Sequence, residues 1–176
     1  MTVVALVGFM GAGKTAVGRA LANRLGWQFA DLDDLVQARE ACTIEKIFAE
    51  KGEQVFREIE SAVLRETIAG MSSPVVLALG GGTFCQAPNQ EVLGQALIPA
   101  VFLDAPVEEL FLRSEEIGIA RPLRRDLEQF RRLYQQRRPD YLKSALRIET
   151  SGKDVATVVH EIVSGLEALA DRGAPE

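Results

Sequence analysis

Short apolar runs recur along the chain, and the stretches between them carry a helical period. Residues 3–7 (Val, Val, Ala, Leu, Val) are continuously apolar and largely β-branched, the pattern of a parallel strand buried on both faces. Residues 27–30, 75–79, 100–103 and 146–149 are four further strand candidates. Between them, residues 14–25 put Val17, Leu21 and Leu25 on one helical face and stop at Gly26. A helical stretch runs to about Arg39, and Thr43 then caps a short helix through Ile44, Ile47 and Phe48 that Gly52 closes. Residues 53–69 form a longer helix with Phe56, Ile59 and Val63 as its core stripe, ended by Gly70. Residues 88–97, 106 to about 113, and 127–138 also read as helices, the last stopping before Pro139. Residues 115–126 read as a loop. In the closing helix, 154–169, Val155, Val159, Ile162 and Leu166 face inward, and the single histidine, His160, faces solvent. The chain from Arg172 onward reads as a frayed tail.

Five strands alternating with helices specify a doubly wound α/β domain with a mostly parallel sheet. Such sheets bind ligands beyond the carboxyl ends of their strands. The length, 176 residues, suits one domain. An apolar fraction of 47% with 26% charged residues excludes a disordered chain. No apolar stretch reaches the ~18 residues of a membrane span, and the first apolar run lacks a basic flank, so the expectation is a mature cytoplasmic protein. Cys42 and Cys85 lie far apart without C-x-x-C spacing, which indicates neither a disulfide scaffold nor a metal site. A net charge of −5 argues against a general nucleic-acid binder. The charge is uneven, however: residues 113–143 hold 9 basic and 5 acidic side chains, +4, which leaves −9 for the rest. That asymmetry suits a small anionic ligand.

The first strand runs into Gly8-Phe9-Met10-Gly11-Ala12-Gly13-Lys14-Thr15, which fits G-x-x-x-x-G-K-[ST] at every fixed position. Gly11 and Gly13 let the backbone turn and aim its N–H groups at an anion, and the following helix presents its positive end to the same point. Lys14 can reach outer phosphates, and the Thr15 hydroxyl can occupy one position on Mg²⁺. Asp31 and Asp33, two apart at an extended strand end, are expected to point to the same side. One can hold an Mg²⁺-bound water while the other accepts hydrogen bonds from a substrate hydroxyl. Asp34 points away, as a cap or first-turn acid of the next helix. Asp104 also ends an apolar strand, but Pro106 follows it, which favours a turn role over Mg²⁺.

Arg57 and Glu60, three apart on a helix, can pair on one face, and an arginine fixed in this way can clamp a carboxylate. Directly after a buried strand, Gly80-Gly81-Gly82 lets a ligand lie against backbone. No acid follows that strand to activate water, which favours transfer to a bound alcohol over hydrolysis. Arg121 lies in a loop able to close over a nucleotide, and Arg137, just before Pro139, can reach the same crevice. Arg131, Arg132 and Arg138 read as solvated.

Taken together these residues resemble the shikimate kinase family. The resemblance covers nearly the whole chain through GFMGAGKT (8–15), DLD (31–33), IEKIFAEKGEQVFREIE (44–60), GGG (80–82), RPL (121–123) and RRPDY (137–141). It implies a P-loop, nucleoside-monophosphate-kinase-like three-layer fold with a five-stranded parallel sheet and a mobile lid. In it, residues 1–176 form one domain with a substrate-binding region at about 31–60 and a lid at about 114–126. It also implies ATP-dependent phosphorylation of the shikimate 3-hydroxyl, a step of aromatic amino-acid biosynthesis, by a monomer that binds neither nucleic acid nor membrane.

Carried over by position, Asp33, Arg57, Gly81 and Arg137 would bind shikimate, with Gly80 and Gly82 shaping the pocket. Thr15 and Asp31 would serve Mg²⁺. Gly11, Ala12, Gly13, Lys14, Thr15, Ala16 and Arg121 would serve ATP, with Arg113 and Lys153 beside the adenine. Lys14 and Arg121 would stabilise charge during transfer, and Asp33 would be the base. The sequence departs from the family pattern at Gln37, where an acid is frequent, and at Arg124, where leucine is usual. Two rival readings remain open: another small-alcohol kinase of the same fold, such as a gluconate kinase, and a nucleotide-binding regulatory module without turnover. A GTPase switch would need N-K-x-D, which the sequence lacks.

Overall fold

The computed structural model describes residues 2–116 and 126–172. Its strands are β1 (Val3–Val7), β2 (Gln28–Asp31), β3 (Val75–Ala78), β4 (Ala100–Asp104) and β5 (Leu146–Glu149). Its helices are α1 (Lys14–Leu25), α2 (Leu32–Glu40), α3 (Ile44–Gly70), α4 (Ala87–Gln95), α5 (Val107–Glu116), α6 (Leu127–Tyr141) and α7 (Val155–Arg172). All strand pairs are parallel, in the order β2-β3-β1-β4-β5. The three central strands are buried at every residue, which is why they read as continuous apolar runs, while the edge strands β2 and β5 are only partly covered.

Register sorts the helices into layers. Leu6 pairs with Val101, which pairs with Leu146, so all three side chains leave the same face. On that face α1 brings Gly18 against Leu6 and Phe29, and α7 brings Gly165 against Leu146. One residue further along β4, Phe102 points to the other face and stacks on Tyr141 of α6, with ring centroids 5.1 Å apart. The sheet is therefore the middle of three layers, as expected.

Several boundaries differ from the sequence reading. The expected break at Gly52 holds, however, since its φ of 81° and ψ of 169° leave helical geometry, and the two helical halves of 44–70 follow one another directly across that kink. The first half of that helix is capped by Thr43, as expected, and by Gln37, whose Oε1 accepts from the Ile44 amide at 3.2 Å. Helix α6 does not stop before Pro139 but runs through it to Tyr141. Proline in a final turn removes only one bond, and Tyr141, fully buried against Phe102, draws that turn onto the sheet. In α7, Val158 is buried with Val159, Ile162 and Leu166, whereas Val155 is exposed. Residues 114–116 of the expected lid belong to α5; 117–125, with Arg121 and Arg124, and the tail 173–176 lie outside the described residues.

Candidate active site

The glycine loop after β1 is shaped by steric necessity. Gly8, Gly11 and Gly13 have φ of 149°, 78° and 82°. A Cβ on Gly8 would sit 2.7 Å from the Leu103 carbonyl, and one on Gly11 would collide with the Leu110 carbonyl. Gly13 caps α1, so the first N–H groups of the helix open onto a cavity of about 420 Å³ that Lys14, Thr15, Asp31, Asp33 and Leu79 help line. Lys14 Nζ donates to the carbonyls of Gly8 (2.9 Å) and Phe9 (3.1 Å), which holds the ammonium inside the loop. A second cavity, about 230 Å³, continues along Gly11–Gly13 and Ala16 to Arg113, Thr150, Lys153 and Val155. Arg113 is held there by Glu109 and by Thr150, and Lys153 by Glu161 at 2.7 Å.

The acidic pair is arranged differently from the expectation. The strand ends at Asp31, and Asp33 lies in the first turn of α2, not on extended backbone. The reason is local: Asp31 Oδ1 accepts from the Asp33 amide at 3.1 Å and caps the helix, which begins at once. Asp34 is a first-turn acid, one of the two roles expected of it, and Asp31 takes the cap. The other Asp31 oxygen, Oδ2, accepts from Thr15 Oγ1 at 3.2 Å. Burial, then the nearby Asp33 charge, lifts the Asp31 carboxyl above its ordinary value. Among the described residues no group of three or more His, Cys, Asp or Glu could hold a metal by itself. Thr15 and Asp31 nevertheless place two hard oxygens side by side under excess negative charge. That suits Mg²⁺, which keeps several waters and takes its remaining ligands from phosphate.

Arg57 and Glu60 pair as expected, Nη1 donating to Oε2 at 2.9 Å. The surroundings of the pair were not legible beforehand. Glu60 is fully buried and also accepts from Thr83 Oγ1 (2.6 Å) and Gln86 Nε2 (3.1 Å), while Arg57 Nη2 donates to Glu53 at 3.2 Å. Burial pushes Glu60 up, and Arg57 draws it back; burial likewise opposes the charge of Arg57, which Glu60 and Glu53 more than restore. Three donors aimed at one carboxylate fit its ionised form.

The glycine run explains itself against this clasp. A Cβ on Gly80 would lie 2.6 Å from Asp33 Oδ1 and 2.8 Å from Glu60 Oε1, and one on Gly82 would lie 2.6 Å from Arg57 Cζ. Neither residue has the positive φ that demands glycine; both are small because side chains approach them closely. Around Gly81 there is more room: its Cβ would meet Arg137 Nη1 at 3.6 Å and Tyr141 Oη at 3.9 Å. Arg137 reaches this point from α6, its guanidinium 5.8 Å from the Phe9 ring centre.

Two sequence readings are overturned on the far side of β4. Arg138 is not a free surface cation: it is bonded to Asp104 and Tyr134. Asp104, 2% exposed, is committed to Tyr134, Arg138 and Arg147 rather than to a turn or a metal. Arg131 and Arg132 are exposed and pair with Glu108 and Glu128. Cys42 and Cys85 are free thiols, and His160 is exposed.

Comparison with known proteins gives one answer. A family model described as shikimate kinase matches residues 10–167. The chain is 41% identical over 175 residues to the shikimate kinase of Symbiobacterium thermophilum, covering 97% of this chain and 99% of that protein. The structure of a shikimate kinase from Acinetobacter baumannii in complex with shikimate superposes with a TM-score of 0.87 at 34% identity, covering 99% of this chain and 96% of the other. A gluconokinase from Sinorhizobium meliloti, with a TM-score of 0.67 at 20% identity over 97% of this chain and 95% of its own, shares the fold alone.

Proposed function

The chain belongs to the shikimate kinase family, and on that premise we propose that it transfers the terminal phosphoryl group of ATP to the 3-hydroxyl of shikimate, giving shikimate 3-phosphate and ADP. The observation that carries the substrate end is the approach of two guanidinium groups, from α3 and α6, to one buried glycine run: Arg57 beside Gly82 and Arg137 beside Gly81. They take the shikimate carboxylate, since planar forks match a carboxylate edge to edge. Gly80 and Gly82 leave room for the clasp, and Gly81 leaves room for the ring.

Asp33, held against Gly80 on the first turn of α2, accepts the hydrogen bonds of the substrate hydroxyls and takes the proton of the attacking one. The new O–P bond forms as the bond to the ADP leaving oxygen breaks. Backbone N–H groups of residues 11–16 and the Lys14 ammonium, released from the Gly8 and Phe9 carbonyls, take up charge on the phosphoryl oxygens. Thr15 and Asp31 would hold Mg²⁺, which when bound would neutralise phosphate charge. Arg113 and Lys153 line the cavity assigned to the adenine. Arg121, assigned to the phosphates, lies outside the described residues. No helix among the described residues is long and apolar enough to cross a membrane, and the reading is of a cytoplasmic monomer.

A coupled ADP-release assay with Mg·ATP, run with shikimate, with gluconate and with neither, tests this reading. Release that depends on shikimate alone is the expected result. Release with gluconate would reassign the pocket, and ATP binding without release on either alcohol would make the protein a nucleotide-binding module.

A further inference from the structure

Helix α6 is fastened to the sheet at two places near Arg137. At the first, Tyr134, one turn before Arg137, and Arg138, directly after it, meet the buried Asp104 carboxylate at the end of β4, which accepts from Tyr134 Oη at 2.8 Å and from Arg138 Nη2 at 3.1 Å. Arg138 Nε also donates to Tyr134 Oη at 3.1 Å, so the three side chains close a ring of hydrogen bonds. The Tyr134 ring meets Phe9 of the phosphate loop edge-on, with centroids 5.5 Å apart. On the C-terminal side, Tyr141 Oη donates to the Gly81 carbonyl while its ring stacks on Phe102.

Tyr134, Arg138 and Tyr141 stand at i, i+4 and i+7, one face of the helix. Arg137 leaves the helix between them, over Phe9 and beside Gly81. An exposed ion pair would do little to set a helix's orientation. Here the acceptor is buried, and any rotation of α6 that withdrew both Tyr134 and Arg138 would strip it of two of its three partners. Rotation by one residue, about 100°, would do so and would also swing Arg137 out of the crevice.

We propose that Tyr134 and Arg138, through Asp104, are positioning residues that set the direction of Arg137 for substrate capture. The inference rests on the reading that Arg137 takes the shikimate carboxylate. In steady-state assays of the full chain, Arg138→Gln and Tyr134→Phe should each raise the KM for shikimate roughly 5- to 20-fold, less than the outright loss of a charge-assisted hydrogen bond, because Arg137 is misdirected and not removed. Arg138→Lys should recover part of that loss. The KM for ATP should stay within about twofold, the scatter of neutral surface changes.

Arg147→Gln removes another partner of Asp104, but from β5 rather than α6. It should lower the melting temperature without moving the KM for shikimate. With Arg137→Ala already present, adding Arg138→Gln should raise the KM no further, because the two act through one guanidinium. Three results would overturn the inference: an unchanged KM for shikimate in both single variants, an equal rise in the KM for ATP, or full additivity with Arg137→Ala. A wild-type KM in Arg137→Ala alone would remove the carboxylate reading instead, and the inference with it.

Discussion

The glycine run offers the sharpest test of how the substrate end is built. A methyl group on Gly82 would collide with Arg57 Nη2 and lie 2.6 Å from Cζ and 2.7 Å from Nη1, against an ordinary contact of 3.4 Å or more, so the guanidinium must withdraw by about 1 Å. The clash is with the far end of a flexible side chain, not with backbone, and Arg57 can yield without unfolding the protein. Yielding stretches its 2.9 Å bond to Glu60 and moves the fork that is assigned to the carboxylate. Losing a charge-assisted hydrogen bond costs about 1.5–3 kcal/mol, or roughly 10- to 150-fold in binding. Gly82→Ala should therefore raise the KM for shikimate by that factor while its melting temperature stays close to the parent's. Gly80→Ala is the contrast, because its methyl would meet the fully buried Glu60, which has nowhere to go. That variant should lose stability as well as activity. The assay is ADP release over a shikimate titration, with a thermal melt of each variant alongside. If Gly82→Ala binds shikimate like the parent, the positional argument for Arg57 is wrong.

Three other outcomes follow from the same geometry. Asp33→Asn should lose most turnover yet bind ATP with near-parental affinity by fluorescence titration, and an unchanged kcat would remove Asp33 as the base. Arg57→Ala should destabilise the fold by about 3 kcal/mol in urea, since it leaves a buried carboxylate without its cation, and adding Glu60→Gln should restore stability but not the KM for shikimate; a double variant as unstable as the single would contradict this. Asp31→Asn tests the buried acid. A folded-state pKa raised above the unfolded value stabilises the protein at pH below that unfolded value, and this advantage disappears as pH rises through the folded one. The asparagine keeps the cap oxygen and removes the charge. Its melting temperature should exceed the parent's at pH 7.5, with the gap closing toward pH 4, while turnover falls; a gap that widens on acidification would refute the assignment.

The sequence by itself determined the features that close within a few residues or lie along one element. The phosphate loop is one: Gly8, Gly11 and Gly13 must be glycine for reasons of φ and of space next to the loop, and Lys14 begins the helix that follows. Strand existence is another, because burial on both faces imposes an apolar run whatever the strand order. The Arg57–Glu60 pair was legible because helical spacing alone brings i and i+3 together.

Tertiary structure decided what depends on strand order and on competition between local signals. Asp33 sits on a helix because Asp31 caps it, and a D-x-D at a strand end reads equally well as extended backbone. Thr83 and Gln86 grip Glu60 across 23 and 26 residues. Tyr134, Arg138 and Arg147 converge on Asp104 over 30 to 43 residues. Pro139 stays helical because Tyr141 gains a buried partner on the sheet. Such pairings exist only once β4 lies between β1 and β5 and α6 covers the face that Phe102 presents. Spacing along a chain encodes which residues share a face, but which face meets another is fixed by packing the whole core.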